Sequence, residues 1–281
     1  MALFGEDFKR AKTDWLYPRE VQQTLWRGLL WFVVLAVLDG VLQTAGGVAS
    51  YFAIFRNGFQ QFLNDMSTGS PAFMKASIIG ITPAAVLVVI LALYFAQFGM
   101  SNRMGKLPLR MPQLRFFGWV ALIAGFCILM WLVFIGAFLV LGIDPETYSP
   151  AGGLNDGHSA SGLVEKTIAD LSKEPWLFAL ALPGVILGAP VTEELIFRGA
   201  LFSALVNSRL GRVGAVVISS VLWALIHLSA APWLYVGVIF IMGLVLGVLL
   251  LRFGSLWVTI ACHAAWNTFN SVAIFGIGVH S

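Results

Sequence analysis

The sequence predicts an all-α protein, a polytopic membrane bundle of seven or eight transmembrane helices. Of the 281 residues, 59% are hydrophobic and only 11% are charged, and the mean hydropathy is +0.87. A soluble domain has about a quarter of its residues charged, so this composition excludes an ordinary soluble domain and a disordered chain. The 10 Trp and 29 Gly agree with a bilayer, because aromatic rings anchor at its interfaces and small residues let helices approach closely.

The first segment, residues 1–28, is predicted to be a cytoplasmic, partly amphipathic lead-in. It is long and mixed in charge, and it carries Trp15 and Trp26 before any apolar run begins. These features do not fit a cleaved signal peptide. Residues 29–281 are predicted to form a single transmembrane helical domain.

Seven stretches have the roughly 20 mostly apolar residues that a spanning helix needs: 29–55, 76–100, 116–143, 175–208, 213–230, 233–251 and 255–278. The fourth would be about 50 Å long as one helix, whereas the hydrocarbon core is about 30 Å thick. Pro183 and Pro190 can break this stretch. An eighth membrane segment, or a re-entrant piece before Glu193, therefore stays open.

The charges in the connections predict the topology. Twelve Lys and Arg residues lie in the segments on the N-terminal side of the bundle and four on the other side. Since Lys and Arg mark the cytoplasmic side, we expect a multi-pass protein of the plasma (inner) membrane with a cytoplasmic N-terminus. Residues 144–174 hold six acidic residues and are predicted to be an acidic extramembrane loop. The net charge of +3 is too small to indicate a nucleic-acid partner.

Charged residues inside the predicted spans are few: Asp39, Glu193, Glu194 and Arg198. Each would cost about 2.5–3.5 kcal/mol at the centre of a span, so each needs a partner or a function. Glu194 and Arg198 are four residues apart and can pair on one helical face. Glu193 lies about 140° from Arg198 around the helix axis and has no partner on its own helix. Asp39 is interpreted as a local kink or an interhelical contact near Gly40.

His227 lies at the depth of Glu193, and His263 is a looser match, since His263 and Asn267 lie about 12–18 Å along the last span from the same side. Glu193 is about 17 residues before the basic turn at Arg209–Arg212, and His227 is about 15 residues after it. Both therefore lie about 20–25 Å from that turn. Trp223 shares a helical face with His227, and His263 shares one with Asn267 in the last span. Each histidine alone is typical of a core residue or of a polar contact between helices, but these interpretations do not predict that the polar groups converge.

This polar set suits hydrolysis. A carboxylate and an imidazole that face one cavity can take a proton from water, and a second histidine with an amide can donate to the oxyanion that develops. The same Glu193, His227 and His263 would alternatively hold Zn²⁺ with one position open for water. The chain contains no His-Glu-x-x-His zinc motif. We expect no cofactor, with zinc as the alternative.

Three motifs follow in order on three hydrophobic stretches: Glu193-Glu194-x-x-x-Arg198, Trp223-x-x-x-His227 and His263-x-x-x-Asn267. As a set they resemble the CAAX protease and bacteriocin-processing (CPBP, or Abi) family of intramembrane endopeptidases, which includes the type II CAAX prenyl proteases. The resemblance covers residues 190–275, and Trp223 stands where that family often has Phe.

The resemblance implies a catalytic core at about 175–278 in an all-α membrane fold, and a glutamic-type or metal-assisted protease. It implies that Glu193 activates water with help from His227, and that His263 and Asn267 hold the oxyanion. Glu194 and Arg198 would be the structural pair, with Trp223 in a supporting position.

Two functions from different classes follow. The first is an intramembrane endopeptidase that cuts a peptide or protein substrate, lipidated or CAAX-like, near the membrane. The alternative is a non-catalytic membrane scaffold or bacteriocin-immunity protein that uses the same polar cluster. A scaffold has little need of Glu193 beyond the pair of Glu194 and Arg198, and a transporter would have charges along more of its path. The full polar set therefore favours the enzyme.

Overall fold

The computed structural model describes residues 3–17, 24–98, 107–142, 148–149, 153–154, 167, 170–228 and 233–280. Over these residues the chain is almost wholly helical, which confirms the predicted all-α class. Most of the predicted acidic loop at 144–174 and part of the lead-in at 1–28 lie outside the described residues.

The first helices are α1 (Glu6–Arg10), α2 (Leu25–Phe55), α3 (Phe59–Thr68), α4 (Pro71–Phe98) and α5 (Phe116–Leu141). Two short antiparallel strands follow, β1 (Tyr148–Ser149) and β2 (Gly153–Leu154), with Tyr148 opposite Leu154. The later helices are α6 (Pro175–Val206), α7 (Gly211–Leu225), α8 (Trp233–Phe253) and α9 (Leu256–His280).

Five of the described helices are long and apolar enough to cross a membrane: α2, α4, α5, α6 and α8. In α7, only the 15 residues Gly211–Leu225 are helical, because the apolar run predicted at 213–230 turns at Ile226–Leu228. α9 is helical over 25 residues. The membrane bundle is thus present, while the count of seven or eight spans stays a prediction.

Helix α6 continues through both of its prolines. It is π-helical at Gly184–Gly188 and at Glu194–Leu201, and α-helical before, between and after these stretches. Proline removes a backbone donor and crowds the preceding turn of an α-helix, and the wider π-helical turn absorbs such a change. The described chain therefore has no break or re-entrant piece before Glu193.

The core of the bundle lies between α6, α7, α8 and α9, with α2 and α5 packed against it. Helix α2 also runs closely along α4. A Cβ atom added to Gly80 would overlap the backbone of Gly46 and Gly47, so the two helices touch through their main chains, as small residues allow in membranes.

The segment before α2 docks on the helix ends at one side of the bundle. The carboxylate of Asp7 is buried and accepts hydrogen bonds from Arg110 Nη2 at 2.9 Å and from the Gln113 backbone N–H at 2.8 Å. The Tyr17 hydroxyl lies 3.0 Å from the Ser203 hydroxyl on α6, and burial raises the pKa of Tyr17. The contact of Tyr17 thus joins this segment to the end of α6 that follows the polar motif.

Candidate active site

The side chain of Glu193 is the centre of the polar cluster. Glu193 ends the α-helical stretch Ala189–Glu193, immediately before the second π-helical stretch of α6. Its Oε2 accepts a hydrogen bond from Trp223 Nε1 over 2.5 Å. The same oxygen lies 4.0 Å from His227 Nε2 and 4.0 Å from His263 Nε2. Three of the four predicted catalytic residues thus meet at one carboxylate oxygen.

His227 lies in the turn that follows α7, and its Nδ1 is 2.8 Å from the backbone oxygen of Trp223. Because a carbonyl oxygen only accepts hydrogen bonds, Nδ1 must carry a proton in this contact. In the neutral ring, Nε2 then has the lone pair, and it is Nε2 that faces Glu193. The backbone of α7 therefore holds His227 in the tautomer of a base.

Glu194 and Arg198 form the predicted ion pair. Both side chains are fully buried, and Arg198 Nη1 donates to Glu194 Oε1 over 3.1 Å. The Arg198 guanidinium lies 4.3 Å from the centre of the Trp223 ring, a cation–π contact that helps to compensate the buried charge. Among the described residues, Glu194 Oε2 and Arg198 Nε and Nη2 have no hydrogen-bond partner.

His263 connects this ion pair with Glu193. Its Nδ1 lies 3.1 Å from Glu194 Oε1, and because a carboxylate accepts, Nδ1 is the donor. Nε2 is left to face Glu193, and it donates to an oxyanion only when the ring is doubly protonated. The ring also packs edge to face on Trp223, with centroids 5.2 Å apart. Glu194 thus orients His263, in addition to neutralising Arg198.

Asn267 lies one turn beyond His263 on α9. Its Nδ2 donates to the backbone oxygen of Val185 over 3.0 Å, which joins α9 to the first π-helical stretch of α6. The second N–H of the amide is not used by this bond. The predicted oxyanion role of Asn267 stays a prediction.

The residues of the alternative zinc set do not fit a zinc ion as they are placed. Ligands of one tetrahedral zinc with bonds of 2.0–2.1 Å lie about 3.4 Å apart, whereas both histidine Nε2 atoms are 4.0 Å from Glu193 Oε2. That oxygen also accepts the Trp223 hydrogen bond. Among the described side chains, no group of three is placed to hold a metal ion.

Two features of the site were not predicted from the sequence. The first is the indole donor. The sequence predicts that Trp223 shares a helical face with His227. The bond from Trp223 to Glu193 joins two helices, and no local sequence pattern predicts it. The second is Asp39 on α2, whose carboxyl group interacts electrostatically with that of Glu193. The signal for Asp39 was its charge within a span.

The comparisons with known proteins point to the same segment. Residues 175–269 match a family model described as "Type II CAAX prenyl endopeptidase Rce1-like". The match covers about a third of the chain, includes every predicted site residue from Glu193 to Asn267, and confirms the resemblance to the CPBP family there. No curated protein and no solved structure matches the chain. With the apolar helices, the match indicates an integral membrane protein.

Proposed function

We propose that this chain is an intramembrane endopeptidase, in which Glu193 and His227 activate the water that attacks a peptide bond. The observation that carries the proposal is the 4.0 Å separation of Glu193 Oε2 and His227 Nε2. A water molecule that donates to two acceptors at about 2.8 Å holds them about 4–4.5 Å apart. The two acceptors are therefore placed to share one water.

The remaining contacts support this chemistry. Trp223 Nε1 fixes the carboxylate from the side of α7, so that Glu193 cannot rotate freely. His263 presents Nε2 to the same carboxylate because Glu194 holds its other nitrogen. When the ring is doubly protonated, Nε2 is a preorganised donor, and such a donor stabilises an oxyanion at low reorganisation cost.

The proposed reaction needs no group beyond these side chains and water. Glu193, with His227, accepts a proton as the water oxygen bonds to the carbonyl carbon, and the carbonyl oxygen becomes an oxyanion held by His263 and Asn267. When the carbon–nitrogen bond breaks, the proton passes to the leaving amine. The products are a carboxylate and an amine, and Glu193 is regenerated.

The proposed substrate is a peptide or protein that reaches the site from the bilayer, and the description of the matched family favours one with a prenylated cysteine. No cofactor and no nucleic acid take part. The distribution of Lys and Arg supports an N-terminus in the cytoplasm and a location in the plasma (inner) membrane.

The test pairs the purified wild type and Glu193→Gln with a library of lipidated and unlipidated peptides. Glu193→Gln is nearly isosteric and should abolish cleavage while the protein stays folded and monodisperse. Glu6→Gln, at an exposed glutamate of α1, is the matched control and should cleave like the wild type. Normal cleavage by Glu193→Gln would remove Glu193 from the mechanism.

The second candidate is the non-catalytic scaffold or bacteriocin-immunity protein. The observation in its favour is that Glu194, Arg198 and Asn267 all bind groups within the protein, as packing residues do. This candidate predicts no cleavage of any library peptide by the wild type. It also predicts that Glu193→Gln is functionally silent.

A further inference from the structure

Helix α2 is an antiparallel neighbour of α6. Near its start, the Phe32 ring meets the Phe197 ring of α6, with centroids 5.4 Å apart. Near its end, Ile54 packs against the buried cluster that contains Leu177 and Ala181, at the opposite end of α6. The two helices are therefore antiparallel, and α2 packs directly on the Glu194–Leu201 and Phe202–Val206 parts of α6.

This register brings Asp39 to the depth of Glu193. Asp39 follows Phe32 by seven residues, about 10 Å along α2, and Glu193 precedes Phe197 by four residues, about 6 Å along α6. Because the helices are antiparallel, both displacements have the same direction. The two carboxyl groups thus differ in depth by only about one helical turn, and their electrostatic interaction agrees with this placement.

Asp39 also lies on the face of α2 that meets α6. At 100° per residue, Asp39 is about 20° from Phe32 around the helix, and Gln43 is about 20° from Phe32 on the other side. Leu35, on the same face, is buried in the core next to α6. Asp39 and Gln43 therefore lie on the face of α2 whose Phe32 meets Phe197 of α6.

Only one oxygen of the Asp39 carboxyl group has a hydrogen-bond partner among the described residues. Gln43 Nε2 donates to Asp39 Oδ2 over 2.8 Å, whereas Oδ1 is buried and has no hydrogen-bond partner among the described residues. A carboxyl group within a span is costly and is usually retained for a function. An extended peptide in a membrane brings main-chain N–H groups that need acceptors.

We propose that Asp39, oriented by Gln43, is a substrate-binding residue on the α2 side of the catalytic residues. Its Oδ1 accepts a hydrogen bond from a main-chain N–H of the bound peptide close to the cleaved bond. This inference rests on the proposed function and adds to it a residue that holds the peptide backbone. Asp39 takes no proton and forms no covalent bond in this role.

The experiment uses a quenched fluorescent peptide with a farnesylated cysteine followed by three residues. Cleavage gives kcat and KM, and binding of the same peptide to proteins that also carry Glu193→Gln gives Kd without turnover. Asp39→Leu should raise KM and Kd about 10-fold or more, as loss of a charged acceptor does, with little change in kcat. Asp39→Asn keeps an acceptor oxygen and should lie within about 3-fold of the wild type.

Two further variants complete the set. Gln43→Leu removes the group that orients Asp39 and should raise KM by about 3-fold, which keeps the test open if Asp39→Leu does not fold. Thr44→Val is the matched control, since Thr44 is exposed on another face of α2 and bonds only to its own helix backbone. Its KM and Kd should equal those of the wild type. Thermal unfolding in detergent checks that each variant is folded.

The outcomes separate the two proposals. If the wild type does not cleave the peptide or any library member, the proposed function fails, and binding by the Glu193→Gln proteins still reports on Asp39. Unchanged KM and Kd in folded Asp39→Leu or Gln43→Leu would overturn the role of Asp39. If Asp39→Asn were as impaired as Asp39→Leu, the role of Asp39 as a hydrogen-bond acceptor would be overturned, and the result would indicate a requirement for its charge. Loss of kcat at constant KM would overturn substrate binding.

Discussion

Trp223 Nε1 donates a 2.5 Å hydrogen bond to Glu193 Oε2, and the ring that makes this bond also covers the Arg198 guanidinium at 4.3 Å. One side chain of α7 therefore contacts both the predicted catalytic carboxylate and the buried ion pair behind it. A phenylalanine, as often found in the CPBP family at this position, would keep the ring but lose the donor. The two functions of Trp223 can thus be separated by substitution.

Trp223→Phe should lower kcat by about 10-fold without abolishing cleavage, because a hydrogen bond to a charged group is worth about 1.5–3 kcal/mol. Glu193 and both histidines are retained in this variant, so general-base chemistry persists. KM should change little, whereas the unfolding temperature should fall, because the buried ring becomes smaller and loses its hydrogen bond. Steady-state kinetics on a cleaved library peptide checks this, with Trp223→Leu as the control that loses ring and donor together. A wild-type kcat in Trp223→Phe would contradict it.

Removing one partner of the buried ion pair should destabilise the protein far more than removing both partners. Glu194→Gln leaves the Arg198 charge buried without its carboxylate and should lower the free energy of unfolding by about 3–5 kcal/mol. Glu194→Gln combined with Arg198→Met should recover a large part of that loss, because no unpaired charge remains. Denaturant unfolding in detergent micelles measures the double-mutant cycle. Additive effects of the two substitutions would contradict an ion pair that acts as a unit.

The sequence predicted which polar side chains come together better than it predicted the path of the backbone. Charges are so unfavourable in a bilayer that Glu193, Glu194 and Arg198 stood out, and their spacing predicted the pair that the structure contains. The π-helical stretches of α6 were not predicted, since packing against neighbouring helices decides how a proline is accommodated. The depth that Asp39 shares with Glu193 was also missed, because α2 alone does not reveal how it packs on α6.

Removing metal ions should leave cleavage unchanged. Glu193 Oε2 is engaged by the Trp223 N–H, and the histidine Nε2 atoms are farther from it than ligands of one zinc ion are from each other. The protein should therefore keep its cleavage rate after treatment with EDTA or 1,10-phenanthroline and removal of the chelator. Loss of activity that zinc restores would instead favour the set of Glu193, His227 and His263 as metal ligands.

Outside the spans, a buried carboxylate fastens α3 to the end of α2. Asp65 Oδ2 accepts a hydrogen bond from the Tyr51 hydroxyl at 2.5 Å, and Oδ1 accepts one from Gln61 Nε2 at 2.8 Å. The bond from Tyr51, with a smaller contribution from Gln61, holds the pKa of Asp65 below its ordinary value. Asp65 is therefore more acidic in the folded protein than in the unfolded chain.

This difference in pKa predicts acid sensitivity. A carboxyl group whose pKa is lowered on folding stabilises the protein fully above its unfolded pKa, about 3.9 for Asp. The contribution is lost as the pH falls through the folded pKa, because Asp65 must then be protonated. The unfolding temperature of Asp65→Asn in detergent should lie below that of the wild type at pH 7, and the difference should shrink as the pH is lowered from about 5 to about 3. Glu6→Gln, at an exposed carboxylate, should follow the wild type throughout. A constant difference between Asp65→Asn and the wild type across this range would show that Asp65 does not carry the acid sensitivity.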